Sequence, residues 1–180
     1  VDAGETYAQA LYNIGVCRYE VWQTEEAARF YERAVEARGG RYPKAHYALG
    51  VALEELRRGP EALEAYREAA ARGYAPAHYK LGMLAAREGQ EEKAAAHFRE
   101  AIKRSKERFP ASHNNLGVML ARAGRLSEAE REFEAALRQS DAPFEEAAQN
   151  LKLCRKLLAG QSKEGAAGLK VAAAADAFTR

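Results

Sequence analysis

Long apolar runs are missing from this sequence, as are strand-like stretches rich in valine, isoleucine and threonine. No run approaches the ~18–20 apolar residues a membrane-spanning helix needs, and none has the form of a signal peptide. Cysteine is scarce. Cys17 and Cys154 are the only two, too few for a disulfide scaffold. An excess of either charge is also lacking: 28 Lys and Arg against 26 Asp and Glu leave a net charge of +2. The totals therefore imply neither nucleic acid nor an anionic membrane as partner. HExxH, CxxC and GxSxG signatures do not occur. Gly160 and Gly165 have the glycine spacing of a phosphate loop, but Ala166 stands where its lysine belongs. The chain reads as non-enzymatic, with no cofactor and no metal expected. It begins at Val1 rather than Met, as a cut or processed form would, and its compartment is cytoplasmic only by default.

What is present favours helix. Ala, Glu, Arg and Leu dominate the 180 residues, which suffice for one core or for about five helical repeats of roughly 34 residues. The stretch Tyr79–Ala101 reads as two short helices joined by a turn at Gly89. Neither helix could bury its apolar stripe alone, so the unit makes sense only when stacked on copies of itself.

The copies are there. Leu81-Gly82 recurs as Ile14-Gly15, Leu49-Gly50 and Leu116-Gly117, with the glycines 35, 32 and 35 residues apart. Twelve residues after each glycine comes Ala27, Ala62, Ala94 or Ala129. Four further on stands an aromatic (Tyr31, Tyr66, Phe98, Phe133), and three further again Ala34, Ala69, Ala101 or Ala136. Small residues suit places where two helix backbones approach closely, and the aromatic fills the wedge between them. Pro43, Pro76, Pro110 and Pro143 fall near predicted first helical positions, where a missing N–H costs nothing. Thr24 and the Ser127–Glu130 pair have cap spacing, and Gly59-Pro60-Glu61 makes a tight start. Trp22 replaces the turn glycine of the first repeat, which predicts an exposed indole.

This pattern resembles the tetratricopeptide repeat family over Tyr7 to about Leu158, and Ala65–Leu84 also resembles the related Sel-like repeats. It departs from the family at the usual tryptophan position, which holds Leu11, His46, His78 and His113, and in the first link, enlarged by Gly39-Gly40. The resemblance implies an all-α, right-handed α-solenoid of four helix pairs (about 8–42, 43–75, 76–109, 110–142) and a capping helix at 144–158. Lys152 there replaces the close-packing glycine, as a solvating terminal helix allows. The remaining 161–180 form an Ala/Gly-rich tail in which LKVAAAADAF has the composition of a short helix, with Leu169, Val171 and Phe178 as its large apolar groups. It is expected either to dock on its own domain or to contact a second copy.

Three histidines at one motif position read as packing residues with a hydrogen-bonding nitrogen. Equivalent residues of neighbouring repeats lie roughly 10 Å apart, too far to share a metal ion. Cys17 and Cys154 share another position and read as small buried groups.

Members of the family bind peptides or partner helices in a concave groove lined by the first helix of each pair. By register the groove positions are Tyr12, Asn13, Val16 and Tyr19; Tyr47, Val51 and Glu54; Tyr79, Lys80, Met83 and Arg87; Asn114, Asn115, Val118 and Arg122; and Gln149, Asn150, Leu153 and Lys156. Tyrosine and methionine beside small aliphatics give contact area with little entropy to lose. Asn13, Asn115 and Asn150 share one position, and in family members such asparagines clasp the backbone of an extended peptide. Glu20, Glu54 and Glu55 fall in the first half and Lys80, Arg87, Arg122 and Lys156 in the second, suiting a partner basic at one end and acidic or carboxyl-terminated at the other. The lysines and asparagines of a chaperone-tail clamp do not match Tyr12, Tyr47, Tyr79, Val16 and Val51. The leading expectation is a non-catalytic scaffold holding a peptide or helix of a partner protein, without nucleic acid or membrane insertion. The alternatives are self-association through 161–180 and a docking arm of a larger enzyme.

Overall fold

The computed structural model describes residues 3–105, 108–160 and 165–172. Its helices are α1 (Ala3–Glu20), α2 (Thr24–Ala37), α3 (Pro43–Glu55), α4 (Gly59–Ala71), α5 (Ala75–Arg87), α6 (Glu91–Arg104), α7 (Pro110–Arg122), α8 (Leu126–Gln139) and α9 (Glu145–Leu158), with a 3-10 turn at Ala166–Gly168. The described residues contain no strand. None of these helices is long and apolar enough to cross a membrane.

The helices divide into two compact units, one ending at His78 and the other beginning at Tyr79. In the first, α1 packs on α2, α2 on α3, and α3 on α4. In the second, α6 packs on α7, α7 on α8, and both α7 and α8 on α9.

One contact recurs in every pair. Gly15, Gly50, Gly82 and Gly117 face Tyr31, Tyr66, Phe98 and Phe133, and a Cβ added to any of these glycines would lie 2.6 or 2.7 Å from the ring. All four rings are fully buried. The glycine thus admits a ring of the second helix, which explains the constant spacing of 16 residues between the two. Shape complementarity at this density is what fixes the pair.

A second aromatic layer lies on top. Tyr12 sits 5.7 Å from Tyr31 and 5.6 Å from Tyr42, centroid to centroid. Tyr47 repeats this with Tyr66 (5.7 Å) and Tyr74 (5.4 Å), and Tyr79 with Phe98 (5.8 Å) and Phe109 (5.1 Å). These tilted pairs are in the favourable range for aromatic contact. In the fourth pair the corresponding residue is Asn114, and the aromatic layer is interrupted there.

Several local expectations are corrected. Thr24 lies inside α2, where its hydroxyl donates to Glu55 Oε2 at 3.0 Å rather than capping. Ser127 lies inside α8, whose N-cap is Arg125 without a side-chain cap bond. The cap arginines instead fork onto the glutamate three residues on. Arg58 reaches Glu61 at 2.8 and 2.6 Å, and Arg125 reaches Glu128 at 2.7 and 2.6 Å. These bonds hold both carboxyls below the usual carboxylate range and leave negative charge at helix N-termini, where the backbone dipole favours it. Cys154 is buried as expected, but Cys17 is exposed. Trp22 adopts a left-handed turn conformation (φ 66°) and is 72% exposed.

Candidate functional site

The first helices of the second unit carry their polar groups to one face. From α7 come Asn114 and Asn115, from α9 Asn150, and from α5 Tyr79; all four are buried. A buried amide needs partners for both its oxygen and its nitrogen. Here the partners come from the chain itself. After a left-handed turn at Gly165 (φ 64°) and the 3-10 turn, the backbone becomes extended at Leu169 (ψ 138°) and runs over this face to Ala172.

Two residues of that segment are held through their backbone groups. Ala172 donates its N–H to Asn115 Oδ1 at 2.7 Å, and its carbonyl accepts from Asn115 Nδ2 at 2.8 Å and the Tyr79 hydroxyl at 2.6 Å. Two residues earlier, Lys170 donates its N–H to Asn150 Oδ1 at 2.8 Å. Its carbonyl accepts from Asn150 Nδ2 at 2.7 Å and Asn114 Nδ2 at 3.3 Å. Alternate residues of an extended chain turn their N–H and C=O to the same side. A pair of asparagines one repeat apart can therefore grip residues two apart.

The side chains under the clasp hold one another in place. Asn150 Nδ2 donates to Asn114 Oδ1 (2.9 Å), Asn114 Nδ2 to Asn115 Oδ1 (3.1 Å), and Asn115 Nδ2 to the Tyr79 oxygen (3.2 Å). Met83 Sδ lies 3.2 Å from Asn115 Nδ2. The fixed amide orientations are set by this network before any ligand is considered. Leu169 inserts into the apolar core of the unit, against which Met83, Leu153 and Val171 also pack.

Of the residues that register assigns to the groove, those of the second unit converge most. Tyr79, Met83, Asn114, Asn115 and Asn150 form the clasp, Leu153 borders it, and Gln149 Oε1 accepts from Lys170 Nζ at 3.2 Å. Val118 is fully buried beneath them. Lys80 is half-buried, while Arg87, Arg122 and Lys156 are exposed, with Arg122 3.6 Å from Glu91. In the first unit Tyr12, Tyr19 and Tyr47 are buried packing groups rather than an exposed contact surface. Val16 and Val51 are half-buried. Asn13 accepts from Gln9 at 2.8 Å, and Glu54 accepts from the Tyr66 hydroxyl at 2.8 Å. Sequence reasoning did not place Lys170 and Ala172 in the clasp, and it read Leu169 as part of a short helix. The described tail is extended from Leu169 on, and Phe178 lies outside the described residues.

The histidines act as packing residues. His46 Nε2 lies 2.9 Å from the Gly40 carbonyl, and His113 bridges Glu132 (2.7 Å) and Gln139 (2.9 Å). No group of His, Cys, Asp and Glu among the described residues could hold a metal ion.

A tetratricopeptide repeat family model matches residues 19–77 and 79–143, and the chain belongs to that family. Among similar solved structures, YrrB, a TPR protein with an unusual peptide-binding site, is 21% identical with a TM-score of 0.66, over 92% of this chain and 87% of that one. Pseudomonas aeruginosa PilF is 20% identical with a TM-score of 0.67, over 91% and 80%. MamA is 25% identical with a TM-score of 0.60, over 73% and 77%. No curated protein matches the chain in sequence. The chain has the architecture of a protein-interaction scaffold.

Proposed function

We propose that the second unit binds an extended peptide of a partner protein on the face formed by Tyr79, Asn114, Asn115 and Asn150. The observation that carries this reading is the paired amide clasp: each asparagine satisfies both backbone groups of one residue, at Lys170 and at Ala172. Such contacts read the presence of extended backbone and not its side chains, in the manner of an added strand. YrrB, with its peptide-binding site, has a comparable fold.

The energetics favour an exchangeable ligand. Six neutral hydrogen bonds contribute about 1 kcal/mol each, and burying a leucine contributes about 2 kcal/mol. Ordering four residues costs about 1–2 kcal/mol apiece. The balance is about 0–4 kcal/mol in favour of the seated segment, which a competing chain can match.

The test is a peptide library displayed on phage and panned against the immobilised full chain. Enrichment on the parent, lost when Asn115→Ala and Asn150→Ala are combined, is the expected outcome. Equal enrichment on the double variant would remove the site from this face.

A further inference from the structure

Resting on that reading, we propose that Leu169–Ala172 is a built-in competitor for the clasp. Its sequence then displays the class of peptide that displaces it: a large aliphatic residue, a variable residue, a second aliphatic residue, and a small residue. The asparagines supply affinity without choosing a sequence, so selection falls to the side chains that the face encloses. Leu169 and Ala172 are each only 3% exposed, whereas Lys170 is exposed and Val171 half-buried. Leu169 is buried in the core cluster of the second unit. Ala172 has both backbone groups bound and its methyl covered, which favours a small side chain there.

The segment is also placed to compete. It follows α9, the last of the described α-helices, and its carbonyls engage the same asparagines that register assigns to ligand binding. Removing it uncovers polar side chains that require partners, and a second extended chain meets the same requirements. Occupancy in cis lowers the apparent affinity for a ligand in trans by the fraction of free sites.

The probe is the end-capped, fluorescein-labelled heptapeptide with the sequence of Ala166–Ala172, followed by fluorescence polarisation. The proteins are the full chain and its full-length variants Leu169→Asp and Ala172→Pro, which weaken the tail in two unrelated ways and are checked for unchanged helix content. Both variants should bind the probe about tenfold more tightly than the parent, and adding Asn115→Ala should abolish that binding. Probes carrying Leu169→Asp or Ala172→Leu should fail, while a Lys170→Glu probe should bind normally. Equal, asparagine-dependent affinity of parent and variants would overturn the competitor and leave peptide binding standing. A scrambled probe that binds as well would overturn the sequence class. If the probe binds nowhere while library peptides are captured through the asparagines, this inference fails and the functional reading survives; if neither is captured, both fail.

Discussion

Gly117 lies against Phe133 so closely that a Cβ at position 117 would come 2.7 Å from Cε1, 2.8 Å from Cδ1 and 3.0 Å from Cζ of the ring. Contacts this short leave no alternative to moving the ring, and the ring is fully buried.

Gly117→Ala should therefore destabilise the second unit. Alanine gains about 1 kcal/mol of helix propensity, but overpacking a dense core costs about 1–3 kcal/mol. The net loss, up to about 2 kcal/mol on these figures, is to be read as a lower urea midpoint. Combining it with Phe133→Leu should recover part of the loss beyond additivity, because the two positions share one contact. Strict additivity would show that the ring is not what the glycine accommodates.

Another glycine is held by its backbone conformation. Gly124 turns the chain between α7 and α8 in the left-handed region (φ 77°), so Gly124→Ala should cost about 1 kcal/mol. A urea titration of the variant reads this loss as a lower midpoint.

The two thiols should differ in reactivity. Cys154 is fully buried, its Sγ donates to the Leu126 carbonyl at 3.3 Å, and burial pushes its pKa up. A thiol raised in this way is fully protonated at neutral pH, and the thiolate is the reactive form. A thiol reagent added to the native chain should label exposed Cys17 alone, and both cysteines only after denaturation. Labelling of Cys154 at the rate of Cys17 would contradict its burial.

The helix pairs were legible because their packing depends on contacts of constant sequence separation, such as Gly82 with Phe98. The burial of Tyr12, Tyr47 and Tyr79 was less so. Each is covered by a further aromatic, Tyr42, Tyr74 or Phe109, that lies in a linker outside the helical period. Cys17 shares its register with Cys154, yet Cys154 is covered by the preceding helix at Leu126, and no described helix precedes α1. The asparagine positions were legible from register, whereas their partner was not. LKVA followed by alanines has helical composition, but a helix would spend on itself the N–H and C=O groups that Asn115 and Asn150 bind.

That competition between helix and clasp has its own signature in amide hydrogen exchange. The N–H groups of Lys170 and Ala172 point at asparagine oxygens at 2.8 and 2.7 Å, while the alternation of an extended chain turns the N–H of Val171 the other way. Exchange at Lys170 and Ala172 should be slowed relative to Val171. Asn150→Ala should release Lys170 more than Ala172, and Asn115→Ala should do the reverse, since each asparagine holds a different residue. A helical segment would protect Val171 as well and would not respond to the two substitutions separately. Uniform protection across the three residues would therefore reject the extended, clasped conformation, and with it the argument that these asparagines read backbone.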